Sequence, residues 1–200
     1  MIPFFNPEEY NWRNLQVLKN KPFVCGYCTD KVSSDRGFAL AKHRDASGEI
    51  VGGVYICPNC QGPTFYNLDG TRLPSNAMGN SVSHVPADLN ELYEEARKCT
   101  SNNCYTAAVL LCRKMLMNIA VNQGAKEGLK FIEYVNHLSD KGFIPPNGKH
   151  WVDHIRKKGN EATHEIAVMS ETDAKELLVF TEMLLRFIYE FPSMVNQPTT

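Results

Sequence analysis

Two hydrophobic rhythms divide this chain. Through the first seventy or so residues, apolar side chains come in short runs separated by turn formers; from Asp88 onward they recur every three or four positions. The first rhythm predicts strands and the second amphipathic helices. Residues 21–73 read as β structure. Residues 37–43 form a short apolar run, Asp45-Ala-Ser-Gly48 has the composition of a turn, and residues 49–56 alternate loosely with β-branched side chains. Ahead of them, residues 1–12 carry Phe4, Phe5, Tyr10 and Trp12 beside Pro3 and Pro7 and read as an extended arm. Two uses are open to those aromatics: covering a small module with little core of its own, or docking onto a partner. Residues 74–85, rich in Ser, Asn, Gly and Pro and without periodicity, read as a linker.

In the second half, Leu89, Leu92, Tyr93, Ala96 and Cys99 form one face of a first helix, capped by Asp88 or a neighbour. Residues 105–122 are apolar nearly all round, which predicts a central, buried helix. Leu129, Ile132, Val135 and Leu138 mark a third helix. It is stopped at Gly142, with Phe143 placed for the apolar contact of a glycine cap and Pro145-Pro146 beyond. Residues 149–158 suit a short fourth helix using Trp151, Val152 and Ile155. Ser170 and Asp173 resemble a capping box that opens a last helix carrying Leu177, Leu178, Thr181, Leu184, Leu185, Ile188 and Phe191 and ending near Pro192, followed by a polar, frayed tail.

The fold class is therefore α+β: a small β ribbon followed by an all-α bundle of about five helices. The expected boundaries are an arm at 1–20, the ribbon at 21–73, a linker at 74–86, the helical domain at 87–192 and a tail at 193–200. Two hundred residues accommodate one small and one medium domain. The formal net charge of -1 excludes a uniformly basic coat but not a local basic site. The N-terminus has no basic segment followed by an apolar core, so no signal peptide is read, and no apolar run is long enough to span a membrane. Seven cysteines, four of them in two CxxC pairs, fit a reducing compartment better than a disulfide framework. The expected location is the cytoplasm.

The pairs are Cys25-Gly-Tyr-Cys28 and Cys57-Pro-Asn-Cys60, with 28 residues between them. Each CxxC places two thiolates on one tight turn, and two such turns supply the four corners of a tetrahedral zinc site. The intervening residues are enough for a hairpin that brings the turns together. Four thiolates leave no open position for water, so the zinc is structural. The rival reading, a redox CxxC, lacks a surrounding βαβ pattern. His43 and His84 are possible substitute ligands but read as ordinary polar residues, and Cys99, Cys104 and Cys112 read as buried small apolar thiols.

A second chemically informative stretch is Ile155-Arg-Lys-Lys-Gly-Asn-Glu-Ala-Thr-His164. Arg156, Lys157 and Lys158, with Lys149 nearby, make a local phosphate seat. Arginine grips phosphate bidentately, asparagine donates to a phosphoryl oxygen, and histidine moves a proton near neutral pH. The alternative is structural: Gly159-Asn160 as a helix C-cap and His164 as a local partner. Arg113 stands in the most apolar helix, where an unpaired charge is costly. It either pairs with a glutamate such as Glu94, Glu95 or Glu182, or points into the same site as His164.

Ala107-Ala-Val-Leu-Leu-Cys-Arg113, followed by Arg156 and Gly159-Asn160-Glu-Ala-Thr-His164, resembles a helical family joined to restriction and defence proteins. That family is grouped with the HEPN (higher eukaryotes and prokaryotes nucleotide-binding) superfamily. The likeness covers residues 88–191. It implies a dimerising helical bundle, and in active members a metal-independent endoribonuclease of toxin, abortive-infection or CRISPR systems. Carried over, Arg156 stabilises the pentacovalent phosphate, Asn160 orients it and His164 is general acid or base. Arg113, Lys157 and Lys158 would hold RNA, and the product carries a 2′,3′-cyclic phosphate. The seven residues between Arg156 and His164 make a longer gap than the usual motif has. The expected function is thus an RNase effector in toxin or antiviral defence, acting on RNA as a homodimer, with the ribbon recognising a protein trigger, a partner or nucleic acid. The alternative is a dimeric, non-catalytic adaptor. A metal-dependent nuclease is disfavoured because no carboxylate cluster has two-metal spacing.

Overall fold

The computed structural model describes residues 5–6, 8–145 and 168–195. The chain forms two compact units, Met1–Ala77 and Met78–Thr200. The first holds an antiparallel sheet of five strands, β1 (Gln16–Val24), β2 (Lys31–Ala41), β3 (Ile50–Ile56), β4 (Pro63–Tyr66) and β5 (Arg72–Leu73), arranged side by side in chain order. The turn expected at Asp45 joins β2 to β3, with the Asp45 carboxylate accepting from the Ser47 N–H and hydroxyl.

Strand alternation gives this sheet two different faces. Tyr55 and Tyr66 lie on one, opposite Gly37 and Gly53 respectively. With Leu18, Phe23 and the four cysteines of the CxxC pairs they make the buried core of this unit. Phe38, Val54 and Phe65 line up across β2, β3 and β4 on the other face. Trp12 packs on Phe38 at 6.3 Å between ring centroids, and Phe5 packs on Trp12 at 6.0 Å. The Trp12 indole N–H donates to the Gln61 carbonyl at 2.9 Å. Covering the module is therefore what Phe5 and Trp12 do. Tyr10 is 63% exposed, and Phe4 lies outside the described residues. Strand β1 starts at Gln16, inside the stretch read as arm. Its register against β2 shifts between Val17 and Lys21, which breaks the period-two signal and leaves Leu18 as the one buried side chain in residues 16–20.

The second unit is helical: α1 (Ala87–Ser101), α2 (Tyr105–Asn122), α3 (Phe131–Asp140), α4 (Glu171–Leu185) and α5 (Phe191–Val195). Helix α2 packs against α1, α3 and α4. It buries Ala108, Val109, Cys112, Met115, Leu116 and Ile119, while Leu110 stays 45% exposed. The capping box at α4 is present, with Asp173 N–H donating to Ser170 Oγ and Ser170 N–H to the Asp173 carboxylate. The glycine stop of α3 is also present. Gly142 has φ +79°, and Phe143 N–H donates back to the Leu138 carbonyl at 3.0 Å.

Three local expectations are corrected. The N-cap of α1 is Pro86, without a side-chain cap bond, and Asp88 instead lies in the first turn, where a carboxylate favours the helix dipole. The last helix does not end at Pro192. Arg186–Glu190 widens into a π-helical turn and the chain continues as α5 through Val195. Proline has no N–H for the helical ladder, and the wide turn before it takes up the mismatch. Residues 78–85 are tied to the helices: Val82 is buried in their core, and Met78 and Val85 pack against it. The stretch lacks periodicity because polar side chains from α1 and α4 hold its backbone. The helix expected at 149–158 lies outside the described residues.

Candidate metal centre

Cys25 and Cys28 sit on the turn between β1 and β2, and Cys57 and Cys60 on the turn between β3 and β4. The two turns are built alike. Thr29 N–H donates to the Cys25 carbonyl and Cys25 N–H to the Asp30 carbonyl, both at 2.9 Å. Gln61 N–H donates to the Cys57 carbonyl and Cys57 N–H to the Gly62 carbonyl, both at 3.0 Å. Thr29 and Gln61, each following the second cysteine of its pair, have φ of 61° and 63°. Gly26 is required by space: a Cβ there would lie 2.5 Å from the Ser75 carbonyl oxygen.

This repeated geometry points all four sulfurs at one place. Their Sγ atoms lie within 4.8 Å of one another, and all four residues are buried. Cys25 Sγ is 3.7 Å from Cys60 Sγ, and Cys28 Sγ is 3.7 Å from Cys57 Sγ. Sulfurs about 2.3 Å from a tetrahedral metal stand roughly 3.8 Å apart, whereas a disulfide needs about 2.05 Å. The spacing is compatible with a metal site. Tyr27 N–H donates to Cys25 Sγ at 3.4 Å, a contact that steadies a thiolate ligand.

The electrostatics are compatible with a cation. Burial raises the Cys28 thiol well above its ordinary value and pushes Cys60 up to about 12. Cys57 goes the other way. Burial opposes its ionisation, but the backbone N–H groups of Cys60 and Asn59, together with hydrogen bonds from the Cys25 and Cys28 thiols, outweigh it and hold the thiol below the usual range. Four thiolates this close repel one another, and a divalent cation at their centre reverses that. Among the described residues this is the one His, Cys, Asp or Glu cluster placed to hold a metal ion, and His43 and His84 are not part of it.

Arg113 is the second notable group. It is buried on α2, with its guanidinium 4.3 Å over the Phe131 ring at the start of α3. None of the glutamates expected to pair with it does so. Glu94 binds Arg97, and Glu182 binds Arg186 and Asn80. Arg113 Nη1 is buried without a hydrogen-bond acceptor among the described residues, and burial lowers its pKa. Arg156, Lys157, Lys158, Asn160 and His164 lie outside the described residues.

Two features escaped the sequence reading. One is an acid–base clamp across α1, α4 and residues 78–83. Asn80 N–H and its side-chain amide donate to the Glu182 carboxylate at 2.9 and 3.1 Å. Tyr93 Oη donates to the Asn80 carbonyl, Ser83 N–H to the Glu190 carboxylate, and Arg186 bridges Glu182 and Glu190. Arg97 reaches the Met78 and Gly79 carbonyls. The four-residue steps from Glu182 to Arg186 to Glu190 were a visible signal for an ion-pair row, though not for its target. The other is Cys104, which is exposed, not buried, with Cys99 partly exposed; only Cys112 of the three is fully buried.

Comparison with known proteins gives one match. A family model described as a domain of unknown function, DUF4145, matches residues 94–197. The match starts within α1 and takes in α2 to α5, while the sheet unit with its cysteines lies outside it. No curated protein and no solved structure matches.

Proposed function

We propose, from the premise that this chain belongs to the DUF4145 family, that it is a zinc-stabilised RNA-cutting protein whose helical unit acts as a HEPN-like, metal-independent endoribonuclease. Zinc is the metal assigned to Cys25, Cys28, Cys57 and Cys60, because four thiolates at tetrahedral spacing suit a soft, redox-inert d10 ion. Its role is to hold the two turns together. No ligand position remains for water, so no chemistry is routed through it.

The observation that carries the RNase reading is Arg113. A guanidinium enclosed by α2 and α3, with Nη1 lacking an acceptor among the described residues, is costly unless an anion completes it. A phosphodiester supplies that anion. In this reading Arg156 steadies the phosphate as negative charge builds on its oxygens, Asn160 orients it, and Lys157 and Lys158 hold the flanking backbone. His164 takes the proton from the ribose 2′-hydroxyl or gives one to the leaving oxygen. The product is a 2′,3′-cyclic phosphate, and the setting is toxin or antiviral defence in the cytoplasm. The zinc ribbon serves recognition of a protein trigger or of nucleic acid.

The test is to express wild type and His164→Ala, with and without phage infection, and map RNA 3′ ends. Cyclic-phosphate ends are expected with wild type and should fall by roughly 100-fold or more in the variant, the usual worth of a general acid or base. Intact RNA under every condition, from protein shown to be folded and metal-loaded, sinks the nuclease reading.

One observation favours the adaptor as a second reading. The outer side of the last helices exposes Val179, Phe187, Phe191 and Met194, with Phe187 and Phe191 packed edge to face at 5.4 Å. Such an apolar strip suits a homodimer contact. Phe187→Glu should convert a dimer to a monomer in light scattering. A wild type that is monomeric at high concentration removes this support.

A further inference from the structure

The corner between α1 and α2 brings two cysteines together in a way the zinc and phosphate readings leave unused. Helix α1 ends at Ser101, with Asn102 as its C-cap. Asn103 follows in the left-handed conformation, φ 60°, and asparagine is one of the few residues that tolerates it. Asn103 N–H donates to the Thr100 carbonyl at 3.2 Å, and Cys104 N–H donates to the Cys99 carbonyl at 2.8 Å. Those two bonds define a Schellman cap, the motif that lays the residue two beyond the C-cap against the residue three before it. Here both residues are cysteine.

The neighbourhood supports a pair with divided roles. Cys104 is exposed at the start of α2, and its Sγ lies 3.6 Å from the Asn102 carbonyl. Cys99 is partly buried against the helical core. Burial raises the Cys99 thiol first, and the charge of Cys104 raises it further. The four sulfurs of the metal centre belong to the other compact unit.

We infer that Cys99 and Cys104 form a reversible dithiol–disulfide pair, a site of oxidation by hydroperoxides that closes a ring across the α1–α2 corner. The exposed Cys104 thiolate attacks the peroxide: an S–O bond forms, the O–O bond breaks, and an alcohol or water leaves with the proton. Cys104 is then a sulfenic acid. The Cys99 thiolate attacks that sulfur; the S–S bond forms, the S–O bond breaks, and hydroxide leaves as water with a proton. Two thiols are oxidised by two electrons and one peroxide is reduced. A small dithiol such as dithiothreitol reverses the change by exchange.

The experiment treats the full zinc-loaded chain with hydrogen peroxide, alkylates free thiols, and maps non-reduced tryptic peptides by tandem mass spectrometry. Residues 99–113 form one tryptic peptide that contains Cys99, Cys104 and Cys112. The expected product is that peptide lighter by two hydrogens, with fragments placing the bond between Cys99 and Cys104 and Cys112 alkylated. Dithiothreitol should restore the mass. Cys104→Ser should abolish the product, and Cys99→Ser should accumulate a Cys104 sulfenic acid that dimedone traps. Fragments that join Cys99 to Cys112, or a Cys104 oxidised to sulfinic acid in wild type with Cys99 still free, overturn the pairing. So does oxidation confined to the four zinc-site cysteines, with zinc released and residues 99–113 unchanged.

Discussion

Cys57→Ser should empty the metal site and unfold the sheet unit while the helical unit keeps its structure. The substitution replaces sulfur by a smaller oxygen at a position with no exposed surface, so little volume is lost and a cavity does not account for the effect. What is lost is one of four ligands converging within 4.8 Å. The cysteines are also four of the eight buried residues in this unit's hydrophobic cluster, the others being Leu18, Phe23, Tyr55 and Tyr66. Binding and folding are coupled in such a module. Structural zinc supplies about 10–16 kcal/mol in small peptides, comparable with the whole stability of an ordinary domain, about 5–15 kcal/mol. The helical unit has its own larger cluster, built on Tyr93, Met115, Leu116, Phe180 and Leu184. Elemental analysis should show zinc falling from about one equivalent per chain to a small fraction. Amide exchange should lose protection in residues 16–73 and keep it in α2 and α4. Undiminished zinc with intact strand protection would falsify the ligand assignment.

The four-cysteine cluster was legible in the sequence because its signal is local: each CxxC is a turn, and a turn needs only its own residues. The same is true of the Ser170–Asp173 box and of the Gly142 stop, where hydrogen bonds run over three to five residues. The readings that failed depend on distant groups. Nothing near Asn80 tells that a carboxylate from α4, 102 positions away, accepts its N–H, so residues 78–85 looked like free linker. Arg113 gives the same lesson from the other side. Burial made a partner necessary, but of the glutamates the sequence offered, Glu94 and Glu182 are engaged by Arg97, Asn80 and Arg186, and Glu95 is exposed. Strand β1 shows a third cause. A register shift is an insertion in the pattern itself, and alternation counted across it cancels.

Glu182→Gln should destabilise the helical unit by about 2 kcal/mol at neutral pH, and the deficit should vanish in acid. Glu182 is buried, and its carboxylate accepts from the Asn80 N–H, the Asn80 amide and Arg186. Glutamine keeps the shape but turns one acceptor into a donor and removes the charge facing Arg186. Breaking a buried ion pair costs about 3–5 kcal/mol when the surviving charge is left alone. Arg186 keeps Glu190 and is partly exposed, which lowers the expected figure. The pH dependence follows from the sign of the shift. Burial alone would raise the Glu182 pKa, but Asn80 and then Arg186 outweigh it and hold it below its ordinary value of 4.5. A carboxyl with a depressed folded pKa adds stability that is fully present above its unfolded pKa and disappears as pH falls through the folded one. Glu190, lowered first by the Ser83 N–H, acts in the same direction. Urea unfolding followed by helical circular dichroism, at neutral pH and again well below the Glu182 pKa, reads both effects. Wild type should lose stability in acid, and the two proteins should converge there, because protonation has already done to Glu182 what the substitution does. An equal penalty at both pH values would mean that Glu182 acts through packing and that the charge does not hold residues 78–83 to the helices.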